Sequence, residues 1–213
     1  LMDSILPTIE SNADKAEELR RVPDENIEAL RSIGYLKSMV PHAYGGSEES
    51  PVDLYRAARL LASACPSTAW ATQLLMGHAH VVAAFSKQAQ DDVWGSGPDA
   101  YAASSVAPMG KFTEAQDGYY LTGRYQFSSG CDHAHWLILG GMRINAESGQ
   151  SEHCLALVPR KDVQIIDTWF TAGLKGSGSK DVQVENIFVP GYRIETMGGL
   201  FMGKTRGAGL HAG

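Results

Sequence analysis

A change of hydrophobic period near Pro98 restricts this chain to one broad class of fold. Before Trp94 the apolar residues recur at helical spacing; after Pro98 they fall into short runs between turn residues. The segment Gly95–Pro98 breaks the last helical pattern and puts the boundary at residues 95–100. Helices followed by strands, without alternation, predict an α+β fold, with residues 1–97 helical and 98–213 forming an antiparallel β domain.

In the first half, Ile5, Ile9, Ala13, Ala16 and Leu19 predict an amphipathic helix. Pro23-Asp24-Glu25 marks a second start, since proline suits the first turn and acids suit the positive end. Ile27, Leu30 and Ile33 form its buried stripe, and Gly34 caps it. Tyr44-Gly45-Gly46 is a turn, and Pro51 opens a helix through Leu54, Ala58 and Leu61. Thr68 to Phe85 is apolar nearly all round, which predicts burial on most sides. Ser86 caps a further helix to about Trp94.

In the second half, strands are expected at Tyr101–Val106, Gly118–Gly123, His135–Gly140, His153–Val158, Val163–Ile166 and Val182–Val189. The Gln116-Asp117-Gly118 turn precedes the second of these. No helix is expected between Pro98 and Pro190.

The formal net charge of −6 and the lack of any basic run beyond Arg20-Arg21 argue against a nucleic-acid partner. The longest apolar run, around Leu74–Phe85, is too short to cross a bilayer and carries His78 and His80. No signal peptide is expected from the opening residues. Three cysteines, Cys65, Cys131 and Cys154, show no paired spacing and are expected as buried thiols of a reducing compartment, the cytoplasm. Both ends look cut: the chain opens inside a helical pattern and stops in Gly207–Gly213, so a longer polypeptide is expected.

Several constellations could carry chemistry. No Gly-x-Gly-x-x-Gly follows a strand, and no Gly-x-Ser-x-Gly elbow occurs. The segment Gly173–Lys180 lacks Walker spacing; it is either a flexible β connection or a backbone cradle for a ligand. Cys131, His133 and His135 alternate, so on a strand they would share a face that could hold zinc, although no fourth ligand is evident and no metal is expected. His78 and His80 point to different faces of their helix and cannot readily share a metal. His78 is either a hydrogen-bonded core histidine or a titratable group aimed at a pocket. Trp70 lies about two turns upstream and either packs the core or lines a cavity with His78. Ser104-Ser105 and Ser128-Ser129-Gly130 are small polar pairs bordering strands.

These residues belong to an ordered set of motifs. Leu19–Asn26, Tyr44-Gly45-Gly46 and Ser67-Thr68-Ala69-Trp70 come first, then Ala103–Gly110, Phe127–Ala134, Asp167–Phe170 and Gly173–Val182. The set resembles the oxygenase component of two-component flavin-dependent monooxygenases of the p-hydroxyphenylacetate 3-hydroxylase and steroid-ring phenol hydroxylase type, in the acyl-CoA dehydrogenase superfamily. The resemblance covers essentially the whole chain. It implies an N-terminal helical domain, a central antiparallel β-barrel-like domain, and a C-terminal four-helix bundle that this chain lacks. It implies reduced FMN or FAD as cofactor, O2 as co-substrate, and hydroxylation of a phenol-like aromatic through a flavin C4a-hydroperoxide. A separate NAD(P)H-flavin reductase and a homo-oligomer, a tetramer in full-length relatives, are the implied partners.

By motif match the resemblance gives catalytic roles to His78, facing the substrate phenol, to Ser129, near the flavin N5, and to Ser104 in the same pocket. Trp70 matches an aromatic at the flavin ring, and Ser105 and Ser128 join Ser129 among the flavin-pocket residues. Phe127 departs from the pattern, since close relatives carry Trp there, and so does Ser47-Glu48-Glu49. Competing expectations are an acyl-CoA dehydrogenase or oxidase, an N- or S-oxygenating relative, or a non-catalytic fragment if the chain is complete. Against the first, Ala107 stands where those dehydrogenases typically carry an acid in Thr-Glu-Pro.

Overall fold

The helices come first in the chain: α1 (Met2–Ser11), α2 (Ala13–Leu19), α3 (Asp24–Ser32), α4 (Pro51–Ala64), α5 (Pro66–Ala83) and α6 (Lys87–Trp94). The structure, a computed structural model, describes residues 1–145 and 148–211. Ala212 and Gly213, at the end of the terminal glycine-rich segment, lie outside the described residues.

The single first helix expected from the Ile5–Leu19 periodicity is interrupted at Asn12, whose backbone (φ −97°, ψ 6°) joins α1 to α2. Its side chain donates to Asn26 Oδ1 at 2.8 Å, and Asn26 donates onward to Thr68 Oγ1 at 3.0 Å. Asn26 is fully buried, so this side-chain chain takes precedence over an unbroken helix. α4 and α5 each open with proline behind a cap. Ser50 Oγ accepts from Val52 N–H, and Cys65 Sγ accepts from Thr68 N–H.

α5 departs from expectation in its burial. Ala71, Leu75, Met76, Ala79 and Val82 are buried, yet Trp70 is 45% exposed, and Gln73, Leu74, Gly77 and Val81 are half-buried. One stripe of an almost wholly apolar helix is therefore open in this chain.

Among the described residues seven strands follow: β1 (Ala102–Ala115), β2 (Gly118–Ser128), β3 (Trp136–Ile144), β4 (Ser151–Pro159), β5 (Gln164–Ile166), β6 (Lys180–Pro190) and β7 (Ile194–Thr196). They form one sheet in the order β5-β6-β2-β1-β3-β4-β7. All neighbours are antiparallel except β1 and β3, which run parallel, with Ser104 opposite Ile138. The chain leaves β2, turns through Cys131–His133, and re-enters on the far side of β1. The expected antiparallel sheet thus contains one parallel pair. β1 runs past the predicted Val106 because the register against β3 shifts between Ser105 and Gly110. That irregularity accommodates Pro108, which cannot donate to a regular ladder. β7 and the short α7 (Met197–Phe201) are too brief to show a period.

One hydrophobic cluster draws Ile9, Leu30, Leu61 and Leu75 from the helices together with Leu121, Tyr125, Leu137 and Val182 from the sheet. Each such side chain contributes roughly 1.5–3 kcal/mol on burial. The core therefore runs across the 95–100 boundary and fixes α5 against β1. Among the described residues, no helix is long and apolar enough to cross a membrane.

Candidate functional site

Trp70 and His78 of α5, eight residues apart, make polar contacts with the β half. Trp70 Nε1–H donates to Ser129 Oγ at 3.1 Å. His78 Nδ1 lies 2.8 Å from the carbonyl oxygen of Ala102, and His78 Nε2 lies 2.9 Å from Ser104 Oγ. A carbonyl only accepts, so Nδ1 carries the proton, Nε2 is the acceptor, and Ser104 donates to it. Burial holds the His78 pKa below its ordinary value, partly offset by the Ala102 bond. His78 is therefore a neutral imidazole whose basic nitrogen meets a serine hydroxyl, the arrangement needed to accept a proton relayed through Ser104.

Ser129 sits in the turn after β2. Gly130, at φ +72°, lets this turn approach α5, since a Cβ there would lie 3.1 Å from Leu75 Cγ and 3.4 Å from the Ala71 carbonyl. Ser129 Oγ is 2.6 Å from Ser179 Oγ, which is 2.7 Å from Ser177 Oγ. Ser128 is fully buried, and its hydroxyl has no hydrogen-bond partner among the described residues. Ser105 donates to the Gln126 carbonyl at 2.9 Å and so tethers β1 to β2 beside this turn.

Around the hydroxyls the surface is aromatic. Phe127 is 65% exposed, and its ring meets Trp169 edge-on at 6.0 Å. A half-exposed indole, an aromatic pair and a neutral hydroxyl that can donate or accept suit a planar heteroaromatic ring. A cavity of about 430 Å³ between α4 and α5 includes Trp70, and another of about 550 Å³ includes Met39, His80, Leu200 and His211.

The structure thus joins Trp70 to Ser129 and His78 to Ser104, with Ser128 at the end of β2 before the turn and Ser105 on β1 bonded to β2 beside it. It does not build the alternating zinc face. Cys131 and His133 lie in a 3-10 turn, not on a strand. His133 Nε2–H donates to the Val22 carbonyl at 2.7 Å, and His135 Nδ1 accepts from Tyr101 N–H at 3.1 Å. Among the described residues, no three His, Cys, Asp or Glu side chains converge as ligands.

Neither reading of Gly173–Lys180 describes that segment fully. Residues 176–180 are buried, and Gly176 lies so close to α2 that a Cβ would sit 2.8 Å from Ala16. Sequence reasoning missed Glu17, Ser177 and Ser179. The alternation of Ser177 and Ser179 before a strand was the available signal for the last two. Nothing local marked Glu17, whose partners lie 50, 158 and 159 residues away.

Comparison with known proteins identifies the family of the chain. Residues 6–96 match the family model "Acyl-CoA dehydrogenase, N-terminal domain". The chain is 46% identical over 210 residues to the p-hydroxyphenylacetate 3-hydroxylase oxygenase component of Acinetobacter baumannii, covering 99% of this chain and 50% of that protein. The crystal structure of 3-HSA hydroxylase from Rhodococcus sp. RHA1 superposes with a TM-score of 0.91 at 40% identity, over 96% of this chain and 54% of that one. XiaF from Streptomyces sp., solved in complex with FADH2 and glycerol, superposes with a TM-score of 0.86 at 30% identity, over 92% of this chain and 49% of that one. The chain spans about half the length of the curated relatives it matches.

Proposed function

Because the chain belongs with the oxygenase components of flavin-dependent monooxygenases, on the acyl-CoA dehydrogenase fold, we propose that the whole protein hydroxylates a phenol-like aromatic with reduced flavin and O2. The observation that carries this reading is the adjacency of the Trp70–Ser129 contact and the His78–Ser104 pair along one helix. Flavin, when bound, supplies the electrons that activate dioxygen.

Trp70, Ser129 and the Phe127–Trp169 pair would hold the flavin ring. Ser129 supplies a hydroxyl free of formal charge, held by the Trp70 N–H and by Ser179. Ser105 and Ser128 shape the turn behind it. Ser104 meets the phenol: its oxygen accepts the phenol proton while its own proton passes to His78 Nε2. The ring oxygen gains negative charge, and the ring carbon beside it becomes a better nucleophile. Neutral His78 is ready for that transfer because Nδ1–H is already committed to Ala102.

Reduced flavin arrives from a separate NAD(P)H-flavin reductase in this reading, with the protein working in the cytoplasm as a homo-oligomer. The test is anaerobic titration of the full-length protein with FMN and FAD in both redox states. Preference for reduced flavin supports the proposal. Tight retention of oxidised FAD points instead to a dehydrogenase, and binding of neither removes the flavin reading. The same titration decides between FMN and FAD.

A further inference from the structure

Glu17 of α2 and Arg20, just past its end, grip the segment that carries Ser177 and Ser179. Glu17 accepts from Ser67 Oγ at 2.5 Å, from Lys175 N–H at 3.3 Å and from Gly176 N–H at 3.2 Å. One turn later, Arg20 makes a paired contact with Asp167, with Nη1 at 2.6 Å from Oδ1, and its guanidinium lies 4.0 Å from the Phe170 ring centroid. The two side chains fasten both ends of the loop that runs from β5 to β6. Within it, Trp169 Nε1–H donates to the Leu174 carbonyl at 2.9 Å. At its last residue, Ser179 reaches Ser129, and Ser129 receives the Trp70 N–H.

We infer that Glu17 and Ser179 are positioning residues for the flavin site: Glu17 sets the loop, and Ser179 holds the Ser129 hydroxyl where Trp70 and the ligand meet it. This rests on the flavin reading above. A glutamate suits the task because one carboxylate can take two backbone N–H groups and a hydroxyl at once. Partial burial pushes the Glu17 carboxyl upward, but the bonds from Ser67, Gly176 and Lys175 outweigh it and hold the pKa below the ordinary value. The carboxylate is therefore ionised at neutral pH.

The test uses full-length protein labelled with fluorotryptophan and read by fluorine NMR, first without flavin. The Trp70 and Trp169 signals are assigned by their loss in Trp70→Phe and Trp169→Phe. Ser179→Ala should shift Trp70 and leave Trp169 in place. Glu17→Ala should shift both. Glu17→Gln keeps an acceptor oxygen and should restore most of the parental Trp169 signal. A Trp70 signal unmoved by Ser179→Ala overturns the inference, as does a Trp169 signal unmoved by Glu17→Ala.

The second arm measures reduced-flavin affinity in the same variants. Ser179→Ala should weaken it about fivefold, the loss of one ordinary hydrogen bond. If the parent binds flavin and the variants bind it equally well with an unchanged flavin spectrum, the two residues only support the fold and the inference fails. If the parent binds no flavin, the flavin reading fails, and the NMR arm still judges the contacts.

Discussion

Ser104 donates its hydroxyl proton to His78 Nε2 across 2.9 Å, while the opposite face of that imidazole is fixed by the Ala102 carbonyl. The pair is a proton acceptor with one open side, at the serine oxygen. Its chemistry follows from the ring being neutral, which burial enforces.

Replacing His78 by Ala should lower the hydroxylation rate by about 10²–10⁴-fold, the usual contribution of a positioned acid–base group. Reduced-flavin affinity should stay near the parental value, because Trp70 and Ser129 are untouched. Rapid-mixing kinetics with separate detection of flavin binding and product would check both halves. A loss of flavin affinity as large as the loss of rate would take His78 out of the proton-transfer role. Ser104→Ala should lie between parent and His78→Ala.

Acid should destabilise the protein through its histidines. Burial is the leading cause that lowers the pKa of His78, His133 and His135 below the ordinary 6.5. Below pH 6.5 the unfolded chain binds protons that the folded chain refuses, so stability falls as pH drops. The fall ends once the folded pKa values are passed. Urea midpoints should be lower at mildly acid pH than at pH above 7, and His133→Gln, which can still donate to the Val22 carbonyl, should recover part of the difference. A midpoint independent of pH across that window would contradict the assignment of these rings as buried and neutral.

The thiols should be inert until the protein unfolds. Cys65, Cys131 and Cys154 are all buried. Burial pushes the Cys131 thiol up to about 12 and the Cys154 thiol up to about 11. The thiolate is the reactive form, so little is available near neutral pH. A thiol-specific chromogenic reagent should react slowly with native protein, and the three cysteines of this chain should titrate fully in denaturant. Rapid reaction of Cys131 in native protein would show that the turn at residues 131–133 opens.

What the sequence revealed and what it concealed follows from range. The α5 helix and the places of β1 to β6, though not their full lengths, were legible because period and turn residues are local signals. Motif resemblance grouped His78 with Ser104 in one pocket and put Trp70 and Ser129 separately at the flavin; the direct Trp70–Ser129 bond was not legible, because it depends on how α5 packs against the sheet. The parallel β1–β3 pairing was hidden, since direction depends on where the chain re-enters the sheet after the Cys131–His133 turn. Glu17 looked like one more acid on a solvated helix face, and only its partners at Lys175 and Gly176 distinguish it.

The turn that carries Ser129 can be tested at its tightest point. Gly130 has φ +72°, where an alanine costs about 1–2 kcal/mol. Its added methyl would also press on Leu75 Cγ at 3.1 Å, tighter than ordinary van der Waals contact. Leu75 is buried in the core and cannot move freely. Gly130→Ala should therefore lower the melting temperature by a few degrees, since about 1 kcal/mol corresponds to roughly 2–4 °C in a domain of this size. It should also push Ser129 away from Trp70 and weaken flavin binding. Gly173→Ala is the control, because a Cβ there meets nothing within 4 Å. Calorimetry of the two variants decides the matter: equal melting temperatures would mean that the turn does not press against α5, and the support assigned to Ser129 would fall with it.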